Sequence, residues 1–147
     1  MDGVGISIRG REQGLAVLGE IAARTASPRG LWENVGRYLE TSTQQRFMEG
    51  RGPAGSVWPQ SLRARLESGR TLIDSARLIQ SITSNATDSG VEAGTNVLYA
   101  AIHQFGGTIN AKTAKGLRFK IGKGGKARWA TKKSVTIPPR PFLGVDE

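Results

Sequence analysis

The stretch 117-LRFKIGKGGKARWATKKSVTI-137 decides the fold class. Leu117, Phe119 and Ile121 alternate with charged residues, the period-two pattern of a strand with one buried face. Gly122-Lys123-Gly124-Gly125 then turns the chain, and residues 129–137 are placed to return as a second strand. A basic antiparallel hairpin is therefore expected. Pro138, Pro139 and Pro141 end its ladder, because each proline removes a donor and fixes its own φ. Phe142 and Leu143 follow from a stiff, extended segment.

Moving upstream, residues 97–105 predict a short helix with Leu98, Ile102 and Phe105 on one side and Asn96 as its cap. Gly106 and Gly107 can supply its left-handed C-terminal turn. Before it, Ile82, Ser84 and Ala86 alternate into a turn at Asp88-Ser89-Gly90, and Val91 and Ala93 alternate out of it, which predicts a β-hairpin. A short helix precedes that hairpin, with Asp74 as N-cap and Ile73 and Leu78 as a hydrophobic staple. Gly52-Pro53, Gly55 and Trp58-Pro59 mark residues 50–69 as a loop that Trp58 pins to the body.

Nearer the N-terminus, Leu31, Trp32, Val35, Leu39 and Phe47 form the stripe of a long helix, with Thr43 and Arg46 on the same face. Ser27 fits its N-cap, Pro28 its first position and Gly50 its end. Leu15, Leu18, Ile21 and Ala22 predict another helix over about 11–25, and Val4, Ile6 and Ile8 a strand over 3–9. The whole reads as one α+β domain, residues 1–147, in which N-terminal helices pack on an antiparallel sheet and a long basic β-hairpin occupies about 108–137.

Composition narrows the function. The 147 residues suit one core, and the net charge of +9 has a definite location. Nine basic residues and no acidic one lie between Thr108 and Ile137, whereas outside that window twelve basic residues face twelve acidic ones. A basic segment on a neutral body is a contact surface for nucleic acid or an acidic partner. The same charges can instead simply keep a hairpin soluble. Without cysteine, and with a single histidine, thiolate and multi-histidine metal sites are excluded, and no metal or other cofactor is expected. No apolar run nears the ~20 residues of a membrane span, and no signal-peptide layout opens the chain, so synthesis in a cytoplasm is expected.

Catalytic constellations are not found. His103 lacks a neighbouring nucleophile elbow or oxyanion turn. Gly122, Gly124 and Gly125 lack the downstream Lys-Ser/Thr of a phosphate-binding loop. Glu67, Asp74, Asp88 and Glu92 have no spacing that pairs two carboxylates. The expectation is a protein that is not an enzyme.

Two motifs carry a family resemblance. Tyr99-Ala-Ala-Ile-His-Gln-Phe-Gly-Gly-Thr-Ile109, followed by Ile137-Pro-Pro-Arg-Pro-Phe-Leu-Gly144, resembles the signature of the phage virion morphogenesis family of Mu-like tail-completion proteins. Leu72-Ile-Asp-Ser-Ala-Arg-Leu-Ile-Gln-Ser-Ile82 and Trp58-Pro59 are similar to that family's preceding elements. The resemblance spans residues 58–144. It implies a structural virion protein of the head–tail junction, a neck or tail-completion subunit forming a homo-oligomeric ring. Head-connector proteins, tail-terminator or tail-tube proteins and, by non-specific contact, packaged DNA in the channel are the partners implied. Family members usually continue past the Pro-Phe-Leu-Gly motif into a helix, whereas this sequence ends at Val145-Asp146-Glu147, so no contact from such a helix is carried over.

Expected interface residues are Tyr99, His103, Phe105, Arg140 and Phe142; each aromatic is also a candidate for the core. Arg140, between prolines, loses little entropy on forming a bidentate ion pair with another subunit, and a merely solvated arginine is the other reading. Lys112, Lys115, Lys120, Lys123, Lys126, Arg128, Lys132 and Lys133 are expected to contact DNA or an acidic protein. The competing function is a nucleic-acid-binding protein that uses residues 117–137 as a basic ribbon, with Trp129 or Phe119 stacking on bases.

Overall fold

In the computed structural model the described residues are 3–9 and 28–145, without the side chains of 7–9 and 126. The helix expected over 11–25, and Ser27, lie outside them. The chain is α+β. Strand β1 (Val4–Arg9) precedes helix α1 (Pro28–Glu49), short helices α2 (Leu62–Glu67) and α3 (Arg77–Gln80), and the hairpin of β2 (Thr83–Ala86) and β3 (Gly90–Thr95). Helix α4 (Ala100–Phe105) and strands β4 (Gly107–Asn110), β5 (Leu117–Ile121), β6 (Arg128–Lys132) and β7 (Ser134–Ile137) complete it.

β3 is the centre of a three-stranded antiparallel sheet in the order β1-β3-β2. Its alternation buries Val91, Ala93 and Thr95 while Glu92 faces outward. α1 lies on β2 and β3, burying Trp32 and Leu39 against Val91 and Ala93. Gly36 permits this approach: a Cβ there would lie 2.5 Å from Ser84 Oγ and 3.2 Å from a Val91 methyl. A second core cluster joins Phe47, Trp58, Leu78, Ile82, Val97, Ala100, Phe142 and Leu143. Three aromatics meet at its centre, with Phe47 5.6 Å from Trp58 in an edge-to-face pair and 5.1 Å from Phe142.

Four expectations are corrected. Residues 50–69 are not all loop, because Ser61 accepts a hydrogen bond from the Ala64 N–H at 3.1 Å and caps α2. α3 begins after Ala76, in the left-handed conformation at φ 60°, and Asp74 does not cap it. The helix expected from residue 97 begins at Ala100, with no side-chain cap from Asn96. Finally, the return strand breaks at Lys133. Only β6 pairs with β5, while β7 pairs with β4, a strand that its single apolar residue, Ile109, does not reveal. Residues 111–116 loop out between the two ladders opposite Lys133, whose carbonyl accepts from the Ala111 N–H at 2.8 Å.

Candidate assembly interface

The proline-rich segment 138–144 joins no strand among the described residues, yet much of its backbone is hydrogen-bonded. Gln104 clasps it: Oε1 accepts from the N–H groups of Phe142 and Leu143 at 3.0 and 3.1 Å, and Nε2 donates to the Leu143 carbonyl at 2.9 Å. Trp58 Nε1 donates to the Pro141 carbonyl at 2.9 Å. From α1, Arg46 Nη1 donates to the carbonyls of Gly144 at 2.8 Å and Phe142 at 3.3 Å. Gly106, at φ 71°, lets α4 end against Pro139, where a Cβ would come within 2.7 Å of the proline nitrogen. Sequence pattern puts Arg46 on the buried face of α1 but misses Gln104, whose partners lie 38 and 39 residues away.

Of the two readings of Phe142, contact and core, its burial in the single chain fits the core. Its ring is 0% exposed in the core, so it contributes to folding. Arg140 is not a solvated arginine, being 5% exposed. Its backbone N–H donates to the His103 carbonyl at 2.7 Å and its Nε to the Pro59 carbonyl at 2.7 Å. Because the prolines leave few ladder donors, side chains from the body draw the segment inward. Burial lowers the pKa of Arg140 from its ordinary value. His103 is half-buried, with its ring edge-on to Tyr99 at 5.9 Å and its Nδ1 without a hydrogen-bond partner among the described residues. Burial first, and the Arg140 charge second, lower its pKa.

Large side chains in and just before the first motif face solvent. Leu98 and Phe105 are each 71% exposed and Tyr99 is 42% exposed. In the basic ribbon, paired positions share a face, so Arg118, Lys120, Trp129 and Thr131 lie on one side and Leu117, Phe119, Ile121, Arg128, Ala130 and Lys132 on the other. On the second side Leu117, Phe119, Ile121 and Ala130 are half-buried, while Arg128 and Lys132 are exposed. On the first side the Arg118 guanidinium lies 4.5 Å from the centre of the exposed Trp129 ring. Lys112, Lys115, Lys120, Arg128, Lys132 and Lys133 are exposed. Lys123 is instead tied to the body, 3.3 Å from Glu67 and 3.7 Å from Asp74. The Lys126 side chain lies outside the described part.

An α+β domain of this kind, with its two motifs clasped together and charge and aromatic surface left outside, belongs to a class of structural phage protein. The chain is a member of the phage virion morphogenesis family, whose model matches residues 11–147. It is 33% identical over 138 residues to the Mu-like prophage FluMu G protein 2 of Haemophilus influenzae, an alignment covering 94% of this chain and 81% of that protein. No solved structure matches it. Its role is that of a phage virion structural protein, and no helix among the described residues is long and apolar enough to cross a membrane.

Proposed function

We propose that the chain is a neck or tail-completion subunit that forms a homo-oligomeric ring joining phage head to tail, and that it acts without catalysis. Membership of the virion morphogenesis family carries this reading. The exposed side chains of Leu98, Tyr99 and Phe105 support it, since covering a large apolar side chain contributes ~1.5–3 kcal/mol, and Tyr99 and Phe105 sit within one family motif with Leu98 just before it. Their face forms the contact between copies. The exposed lysines of the ribbon meet head-connector and tail-terminator or tail-tube proteins, with non-specific contact to packaged DNA in the channel. Synthesis in the host cytoplasm precedes incorporation at the junction.

Particles assembled without this chain should accumulate as separate heads and tails under the electron microscope, and adding the purified chain should join them. Joined particles in its absence would contradict the proposal. A nucleic-acid-binding role is the second reading, favoured by the exposed Trp129 beside Arg118. It requires base-selective binding that survives high salt, whereas ribbon lysines alone give weak binding that salt abolishes.

A further inference from the structure

A cleft of about 290 Å³ lies between residues 72–78, α4 and the proline-rich segment, with Arg63, Asp74, Arg77, Tyr99, His103 and Arg140 among its lining residues. Arg140 is the residue in it whose chemistry is incomplete. A guanidinium has five N–H donors, and only Nε of Arg140 finds an acceptor among the described residues. Nη1 and Nη2 have none there, although the residue is 5% exposed. The two terminal nitrogens are not fully buried, since His103 Nδ1 and Glu67 Oε2 are the buried side-chain atoms without a partner among the described residues; the terminal nitrogens open to the cleft, and the fork they form matches a carboxylate.

The carboxylate already in the wall does not supply that anion. Asp74 lies 3.6 Å from Arg63 and 3.7 Å from Lys123, and forms no ion pair with Arg140. Arg63 is itself committed, donating to the carbonyls of Arg70 and Ile73 at 2.7 Å each. Arg77 at the exposed rim makes no ion pair among the described residues, and adds positive charge. His103 contributes a buried Nδ1 that likewise lacks a partner among the described residues. Leu72 and Ala76, on the same wall, hold positive φ values of 64° and 60°, a conformation that recurs at ligand clamps.

We infer that this cleft receives the carboxylate of an aspartate or glutamate presented by a neighbouring protein subunit, held by the terminal nitrogens of Arg140 with Arg77 at the rim. The identity of the partner as a virion subunit rests on the junction reading above; the site itself does not. A protein side chain suits the site better than a nucleic-acid backbone. A recessed guanidinium is reached by one inserted carboxylate, whereas phosphates on a duplex meet exposed cations.

The test uses the purified chain, isotopically labelled, titrated at constant ionic strength with N-acetyl-aspartic acid α-methylamide, a mimic carrying one side-chain carboxylate. Saturable shifts of the Arg140 Nε–H and the His103 ring resonances are expected, and the asparagine analogue should produce none. Arg77→Gln, which alters an exposed residue, should retain the folded spectrum and weaken binding about fivefold, as removal of an exposed charge does. Equal shifts from the neutral analogue, or none at Arg140 and His103, overturn the inference. Duplex DNA should shift only ribbon resonances; shifts at Arg140 as large as those from the carboxylate mimic overturn the choice of a protein side chain. Because ring formation is not read here, failure of the cleft leaves the ring untouched, and failure of the ring leaves the cleft's result standing.

Discussion

The proline-rich segment and the basic ribbon are consecutive in sequence and opposite in construction. Residues 138–144 make no ladder, and their backbone is held by side chains from distant elements, Gln104, Trp58 and Arg46. Residues 107–137 satisfy their backbone largely within themselves, through two antiparallel ladders, and leave their charges outside. A segment tied by buried side chains from other elements is sensitive to single substitutions. One tied by its own ladders tolerates side-chain changes at its surface, which frees that surface to be shaped by a partner.

The largest effect should come from the clasped segment. Phe142→Ala removes a ring that is 0% exposed against Phe47 and should destabilise the isolated chain by about 3–5 kcal/mol in denaturant unfolding. A cost under about 1 kcal/mol would show that the core reading is wrong. Gln104→Ala comes next. It leaves the Phe142 and Leu143 N–H groups without their acceptor, at about 1–3 kcal/mol for each group that stays buried, and the loss should show as faster amide exchange at those two positions.

Ribbon substitutions should have far smaller effects on folding. Replacing Lys120, Lys132 and Lys133 by serine should change stability by less than about 0.5 kcal/mol each. It should also flatten the salt dependence of any DNA binding measured by titration, since each phosphate left without its lysine reduces the slope by about 1. A large drop in melting temperature would mean that the ribbon, like the proline-rich segment, is held by its side chains.

The smallest effect concerns pH. Burial and Arg140 lower the pKa of His103 in the folded chain, while the unfolded chain keeps the ordinary value of about 6.5. Above that value both states are neutral and the contribution of His103 to stability is present in full. As pH falls below it the unfolded state takes the proton first, so stability decreases. Denaturant midpoints at about pH 7.5 and pH 5.5 should differ less in His103→Asn than in the parent chain. An identical pH response would remove His103 as the cause.

These two regions also differ in how far the sequence reveals them. The β2–β3 hairpin is legible because Asp88-Ser89-Gly90 separates two alternating runs, and α1 because Pro28 and Gly50 bracket an apolar stripe. β5 is legible by its alternation. The split of the returning strand at Lys133 is not, since nothing local in residues 129–137 tells which partner each half will meet. α2 is hidden by the glycines and prolines before it, although Ser61 three residues ahead of Ala64 is a readable cap. In the candidate site, the motif containing Arg140 and Phe142 is visible, but their burial is not. Gln104 makes the difference, and a glutamine's long-range partners leave no mark on local pattern.

The most direct measurement of the ribbon's role at the junction pairs melting with an electron-microscope count of joined particles, using a chain in which Lys112, Lys115, Lys120, Lys132 and Lys133 are all serine. Melting near that of the parent chain is predicted, together with a several-fold loss of joined particles and an excess of separate heads and tails. Joined particles at the parent yield, from a chain that has lost those charges and still folds, would contradict a ribbon that meets head and tail proteins through its lysines.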